Sequence, residues 1–458
     1  MIFALYVYSA AYAVTLESTV YPIQVIAPDE ALATAAMSAS EDAWRATVIE
    51  LGFAPPLMRD AAGDAVEGFA ISFVSQGEDQ LATFNILGDI PETPASDCPT
   101  RGVVNANHMD EPGWLEMTVV HLLNHASLHA VDCLEPQMPS FDFFTVAVEH
   151  LLGVDAFGPW YYREFQSHPE ASLDAVYSDR DHAHYQFGSS LFPLFLTERY
   201  GDGSGALLAD IWARTPQDGH ILFANGELPM GDVENEPDYL DAIQDELAAR
   251  GSSLDQAMIA FTEWRFFTGE FNDGEHFADA ATLPEVFVDG QVTAAAFPLE
   301  VTPTRPLAEY ASSYVLVDVA AHSDPLTLSF AGGEGIAWGA SVYVLDEGGA
   351  HIGDHHLALD GGAGSIDLEP AEGPQTLVLA CTALTDGSHD PEDSDWDQEH
   401  TYQWSLDEAP LDDDQCLEPH GSCMGSSKPS GLFGLMLPLG LVVWPRRSRV
   451  LERGAPIR

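Results

Sequence analysis

Apolar residues recur at helical spacing over much of the first 270 positions, and in short alternating or continuous runs after position 300. Asp29 to Leu51 reads as an amphipathic helix, with Trp44, Val48 and Leu51 on one face and Gly52 as its stop. Val66 to Val74 and Leu81 to Leu87 read as strands, and Pro91 to Pro94 as a loop. From Gly113 to about Gly269 the pattern is helical. Its segments are 114–131, 141–152, 159–166, 184–200, 206–213, 239–250 and 254–267, with Ser252 and Ser253 as ready N-caps for the last. β-rich runs follow at 313–320, 326–331, 341–346, 375–381 and 401–407, separated by Gly- and Asp-rich turns. Such spacing argues for a β-sandwich. The expected fold class is therefore α+β: a mainly helical domain over 14–280, followed by a C-terminal sandwich over 295–407.

Charge narrows the partners. The chain has 458 residues, with 16 Lys+Arg against 73 Asp+Glu and a formal net charge of −57. A chain this acidic repels phosphate backbones, so nucleic-acid binding is excluded as a reading. The 390–397 stretch places Asp390, Glu392, Asp393, Asp395 and Asp397 close together, which suits either a calcium ion or plain hydration.

Both ends carry the marks of export. A short apolar run from Ile2 to Tyr8 leads to Ala11-Tyr12-Ala13, an A-x-A cleavage pattern that makes 1–13 a candidate signal peptide and Val14 the expected mature start. The alternative is a first strand. At the other end a polar linker (408–430) meets an apolar stretch, Gly431 to Trp444, and then Arg446, Arg447 and Arg449. That stretch is short for a spanning helix, which needs roughly 20 residues, yet the abrupt basic flank fits a membrane boundary. The 416–449 region resembles the C-terminal sorting tags of myxobacterial and related surface proteins. Residues 431–449 are thus expected to tether the protein to a membrane. Five cysteines fit an exported chain, with Cys98–Cys133 and Cys416–Cys423 as the expected bridges and Cys381 left over.

The densest chemistry lies in Trp114 to Cys133. His121, His125 and His129 stand four residues apart, so on a helix each advances only about 40° and all three share a face. Two imidazoles at i, i+4 make the pincer of zinc peptidases, though packed or capping histidines give the same spacing. Val119-Val120-His121-Leu122-Leu123-Asn124-His125-Ala126 resembles the H-E-[LF]-N-H-A helix of secreted bacterial zinc metallopeptidases of the gluzincin type. Blocks around Trp44 to Pro55, Tyr185 to Gly201 and Phe261 to Gly269 resemble further segments of those proteins, in order, over about residues 40–280. The later strands resemble the accessory β-sandwich domains of secreted bacterial peptidases.

The resemblance implies two zinc-binding histidines, His121 and His125, a glutamate between them as general base, and a third acidic ligand on the next helix. Leu122 occupies the position of that base and can neither take a proton nor hold a water. Shifting the register to His125 and His129 puts Ala126 there instead. For the third ligand, Asp142 is one methylene shorter than the family's glutamate, and Glu149 matches the second acid of the same block. His150 is a weaker candidate. Tyr185 is either an oxyanion-stabilising phenol or a core aromatic; His182 and His184 are either ligands or a polar helix start. Asp132 is placed to orient His129, and Trp160-Tyr161-Tyr162 to pack. The expected function is an exported, surface-tethered, peptidase-like module that binds a protein or peptide, with weak zinc at His121, His125, His129, Asp142 and Glu149 as the candidate ligands. The alternative is an active zinc peptidase that uses Glu149 as its acid.

Overall fold

The computed structural model describes residues 13–75, 81–90, 93–135, 139–176, 184–216, 236–385, 387, 389, 391 and 399–409. The candidate signal peptide up to Tyr12, His182, the acidic loop residues proposed for calcium, Cys416, Cys423 and the whole C-terminal segment lie outside them. Among the described residues no helix is long and apolar enough to cross a membrane.

The chain opens with strands Val14–Glu17 (β1) and Ile23–Ala27 (β2), then helix Glu30–Trp44 (α1). Asp29 caps α1, its carboxylate accepting the Leu32 N–H at 2.9 Å. The helix expected to continue to Leu51 instead widens into a π-helical turn over Arg45–Glu50 and stops where Gly52 takes φ +85°. Strands Leu57–Arg59 (β3), Ala65–Glu67 (β4), Phe69–Val74 (β5), Ala82–Ile86 (β6) and Thr100–Asn105 (β7) follow. The single strand expected over 66–74 is two, broken at Gly68. That residue has φ +156° and its Cα packs so close to Pro22 that a Cβ would lie 2.7 Å from the Pro22 carbonyl oxygen. β1, β2, β5, β7 and β6 form one mixed sheet in that order, with β6 outermost and antiparallel to β7.

Helices Trp114–His129 (α2), Pro139–Leu151 (α3), Gly158–Ser167 (α4), Tyr185–Gly188 (α5) and Leu191–Arg199 (α6) come next. Then come Ala206–Trp212 (α7), Tyr239–Ala249 (α8) and Leu254–Phe266 (α9). The segment expected as one helix over 184–200 is broken between α5 and α6. Pro193 has no N–H for a continuous ladder, and the Ser189 and Ser190 hydroxyls turn back to the carbonyls of Gln186 and Phe187, both at 2.7 Å. Ser253, not Ser252, caps α9.

Residues 290–408 form two further sheets. The strands are Gly290–Thr293 (β8), Leu299–Val301 (β9), Ser312–Val319 (β10), Leu326–Gly332 (β11) and Trp338–Asp346 (β12). His351–His356 (β13), Ala363–Leu368 (β14), Gln375–Ala383 (β15) and Tyr402–Glu408 (β16) complete them. One sheet runs β13-β12-β15-β10-β8 and the other β14-β11-β16-β9. Val315, Val317, Val342, Leu377 and Leu379 of the first share a core with Leu328, Phe330, Trp404 and Leu406 of the second. The alternate residues Tyr314, Leu316, Tyr343 and Val378 pack on the opposite face against Phe266 and Phe267, which end the last helix. The middle strands are thus buried on both faces, and the described residues fall within one compact unit.

α2 is buried on nearly every side, with Leu122 and Leu123 inside. Its C-terminal end is tied to residues 96–98: Cys98 N–H donates to the His129 carbonyl at 2.8 Å, Cys133 N–H donates to Ser96 at 2.9 Å, and Cys98 is bonded to Cys133. The expected bridge is therefore present, across a sequence separation of 35. Closing a loop of that size contributes roughly 3–4 kcal/mol in the chain-entropy picture. Replacing both cysteines by serine is expected to lower the unfolding free energy by about that amount in non-reducing urea titrations.

Candidate metal centre

α2 and α3 lie side by side, linked inside by the Thr145 hydroxyl, which donates to Asn124 Oδ1 at 2.9 Å. On α2, His121 and His125 stand one turn apart on the face turned toward α3, with ring centroids 4.5 Å apart. On α3, Asp142 and Glu149 are seven residues apart, close to two full turns, and so share one face. Asp142 Oδ1 lies 3.1 Å from His125 Nε2 and 3.6 Å from His121 Nε2. His121, His125 and Asp142 each offer one ligand atom, all within 4.8 Å of one another. Two imidazole nitrogens and a carboxylate oxygen are donors suited to a borderline divalent ion; they do not select zinc over its neighbours.

Glu149 takes a different position from the one expected. Its Oε1 lies 2.6 Å from His121 Nδ1, on the far side of the ring from the convergent Nε2. It therefore sets the orientation of His121, in the carboxylate–histidine arrangement that commonly supports a metal-binding imidazole. Burial raises the pKa of Glu149, opposed by the hydrogen bond and charge of His121. Burial disfavours the charged form of His121, but Glu149 and Asp142 outweigh it and the imidazole's pKa rises. Burial and the charge of His121 lower that of His125.

His129 also departs from the expected ligand set. Its Nδ1–H donates to the His125 carbonyl at 2.8 Å, and its ring is held against Phe141 and Phe84, with centroids 4.0 and 4.8 Å away. Burial, followed by the charge of His125, takes its pKa down to about 3. It forms wall, outside the convergent trio. Asp132, expected to orient it, accepts the Leu134 N–H at 2.9 Å.

Leu122 is 2% exposed and packs on β7 above Gly102, where an added Cβ would stand 3.0 Å from its Cδ1. Burying such a side chain contributes roughly 1.5–3 kcal/mol. With Ala82, Phe84 and Ile86 of the outermost strand β6, and with the three histidines, Phe141 and Asp142, Leu122 lines a cavity of about 240 Å³. Asp142 is the one carboxylate among the described residues that line it.

The remaining candidates fall elsewhere. Tyr185 is a core aromatic, its hydroxyl 3.0 and 2.9 Å from the carbonyls of Ala171 and Ser172. His184 packs on the half-exposed Trp160, with ring centroids 4.1 Å apart. His150 is clamped by Asp155 at 2.7 Å and Asp279 at 3.1 Å, one carboxylate on each ring nitrogen. Two residues of the site were not legible in the sequence. Phe84 forms the wall opposite the histidines, and Tyr161 feels the carboxylates: burial, then the charges of Glu149 and Asp142, raise the pKa of its phenol.

No family model and no curated protein matches the chain. Among solved structures, CorA, a surface-associated copper-binding protein of Methylomicrobium album BG8, aligns at 12% identity over 26% of this chain and 98% of its own, with a TM-score of 0.19. The infectious bursal disease virus VP2 subviral particle aligns at 14% over 24% of this chain and 27% of its own, TM-score 0.15. The Aeromonas hydrophila lysozyme inhibitor PliG aligns at 11% over 26% and 97%, TM-score 0.14. At these scores no argument rests on them.

Two outcomes follow from the geometry. Glu149→Gln is expected to keep the fold but weaken binding of a divalent metal by about 10–100-fold, and Asp142→Ala to weaken it further, as measured by competition with a chromophoric chelator. For His150, burial is outweighed by Asp155 and Asp279, and its pKa is raised to about 9. Its folded value lies above the ordinary histidine value of 6.5. The stabilisation is therefore complete below about pH 6.5 and lost as pH rises through about 9, amounting to at most roughly 3 kcal/mol. His150→Asn should remove that part of the pH dependence in urea unfolding.

Proposed function

We propose that this chain is an exported, surface-tethered pseudo-peptidase: a peptidase-like helical domain and its sandwich, kept as a binding or structural module for a protein or peptide. The observation that carries this reading is the pairing of an assembled His121–His125–Asp142 trio with a buried leucine where a general base would stand. Zinc is the proposed occupant, held by His121, His125 and Asp142 with Glu149 orienting the first. When bound, such an ion supplies Lewis acidity and an acidified water.

Among the described residues lining the cavity, Asp142 is the one carboxylate, and it would be taken up by the metal. Leu122 presents methyl groups to the cavity, and Glu149 is committed to His121 Nδ1. Losing a general base costs roughly 10²–10⁴ in rate. Asp142 serves the metal itself. The apolar wall of Phe84, Ile86 and Leu122 favours a ligand with an apolar side chain, held by contact rather than cleaved. Export and tethering rest on the A-x-A site and on the apolar-then-arginine terminus.

The test pairs the native protein with Leu122→Glu and measures metal content and casein hydrolysis in both. The native chain is expected to bind zinc stoichiometrically when loaded and to hydrolyse casein no faster than the buffer blank. Robust hydrolysis by the native chain, abolished by a chelator, would overturn the pseudo-peptidase reading. Zinc content as high in a His121→Ala, His125→Ala double variant as in the native protein would be incompatible with the site assignment.

A further inference from the structure

The seam between the helices and the strand layers combines apolar packing with buried polar contacts, among them Thr262 with Thr382 at 2.8 Å and the Tyr314 hydroxyl donating to the Thr262 carbonyl at 2.8 Å. At one point on that seam His389, from the strand side, is held in a fully internal position. Its Nε2 lies 3.1 Å from Asp174 Oδ2 and its Nδ1 3.3 Å from Glu309 Oε2. The side chains of His389 and Asp174 are each 2% exposed, and that of Glu309 is 8%. Asp174 belongs to the helical region, in the loop after α4, where the Ser172 hydroxyl also donates to it. Glu309 lies three residues before the start of β10. The Tyr310 ring meets His389 edge-on, with centroids 4.9 Å apart.

Two buried carboxylates close together repel each other, and a cation between them offsets that cost. With both ring nitrogens protonated, His389 donates from Nε2 to Asp174 and sets its positive charge 3.3 Å from Glu309. Neutral, it can donate to one alone and leaves two negative charges facing each other. A second feature marks the same place. Tyr310 has φ +52°, the one positive value among the described non-glycine residues, a conformation unfavourable for a residue with a side chain. The segment is therefore held closed by its contacts against its local backbone preference.

We propose that His389 is a protonation-operated latch, which closes segment 307–312 of the strand side onto Asp174 of the helical side and releases it when the imidazole loses its proton. The groups that face the imidazole are Asp174, Glu309, the Tyr310 ring and, at longer range, Asp238, which caps α8. Burial works against the charged imidazole, but these carboxylates outweigh it and raise its pKa. The sign follows: the latch is fully closed below the ordinary histidine value of about 6.5 and opens as pH rises through the higher docked value. Opening is local. Phe266 and Phe267 against Tyr314, Tyr343 and Val378 keep the rest of the seam together.

The experiment is hydrogen exchange by peptide mass spectrometry on the full chain at about pH 6 and about pH 9, corrected for intrinsic rates. Peptides covering 171–175 and 307–312 are compared with β5 as a control for global unfolding. In the native protein the two seam peptides should lose protection by about tenfold per pH unit above about 6.5 until the docked value is passed, while β5 holds. In His389→Asn, a neutral hydrogen-bonding substitute, they should be poorly protected at both pH values. Glu309→Gln, which removes one of the two carboxylates, should shrink the change and end it at a lower pH, and it tests the latch even if His389→Asn fails to fold. Equal protection of the native seam peptides at both pH values, or an unchanged window in Glu309→Gln, overturns the proposal.

Discussion

The seating of Leu122 over Gly102 is the contact on which the site depends. A helix buried on most of its surface has little freedom to rotate, and this leucine fixes where that rotation stops. With Leu122 pressed on β7, the neighbouring His121 and the residue one turn later face the space between α2 and α3. Asp142 and Glu149 then meet one imidazole at its two different nitrogens. The disulfide between Cys98 and Cys133 and the hydrogen bonds beside it hold the far end of the same helix. Leu122 thus anchors the helix that carries His121 and His125.

Where burial is one-sided or complete along a whole element, the sequence is readable. Helices α2, α3, α8 and α9 fall within a residue or two of their expected bounds because a repeating apolar face meets a clear cap or stop. Strands β10, β12 and β15 show as continuous apolar runs because both faces are covered. β13 and β14 escaped notice for the opposite reason. His351–His356 and Ala363–Leu368 lie at sheet edges, half-exposed in alternation, and are built from His, Gly, Asp and Ser. The break at Gly68 comes from its close approach to Pro22, and that between α5 and α6 from Pro193 and the Ser189 and Ser190 hydroxyls, neither of which hydrophobic periodicity carries.

The site divides in the same way. His121 and His125 are legible from spacing, because a helix converts four residues into adjacency. Asp142 and Glu149 are legible as candidates but not as roles. Which of them reaches Nε2 and which Nδ1 depends on how α3 lies against α2, and no local pattern encodes that. His129 has the right spacing on the right face, yet it sits between Phe84 and Phe141, and one of those rings comes from a distant strand. Phe84 reaches the cavity through long-range packing alone.

The double-sided burial of β10, β12 and β15 bears on how such a chain can be inherited. An appended module is ordinarily portable because its outer surface is already suited to water. Here the outer surface of the middle strands is Tyr314, Leu316, Tyr343 and Val378, and its cover is supplied by Phe266 and Phe267 at the end of the last helix. Cut between α9 and the strands, each piece would present an aromatic face with no partner. The two parts are therefore bound to travel through evolution together, and a recombination point between them would yield two insoluble halves rather than two domains.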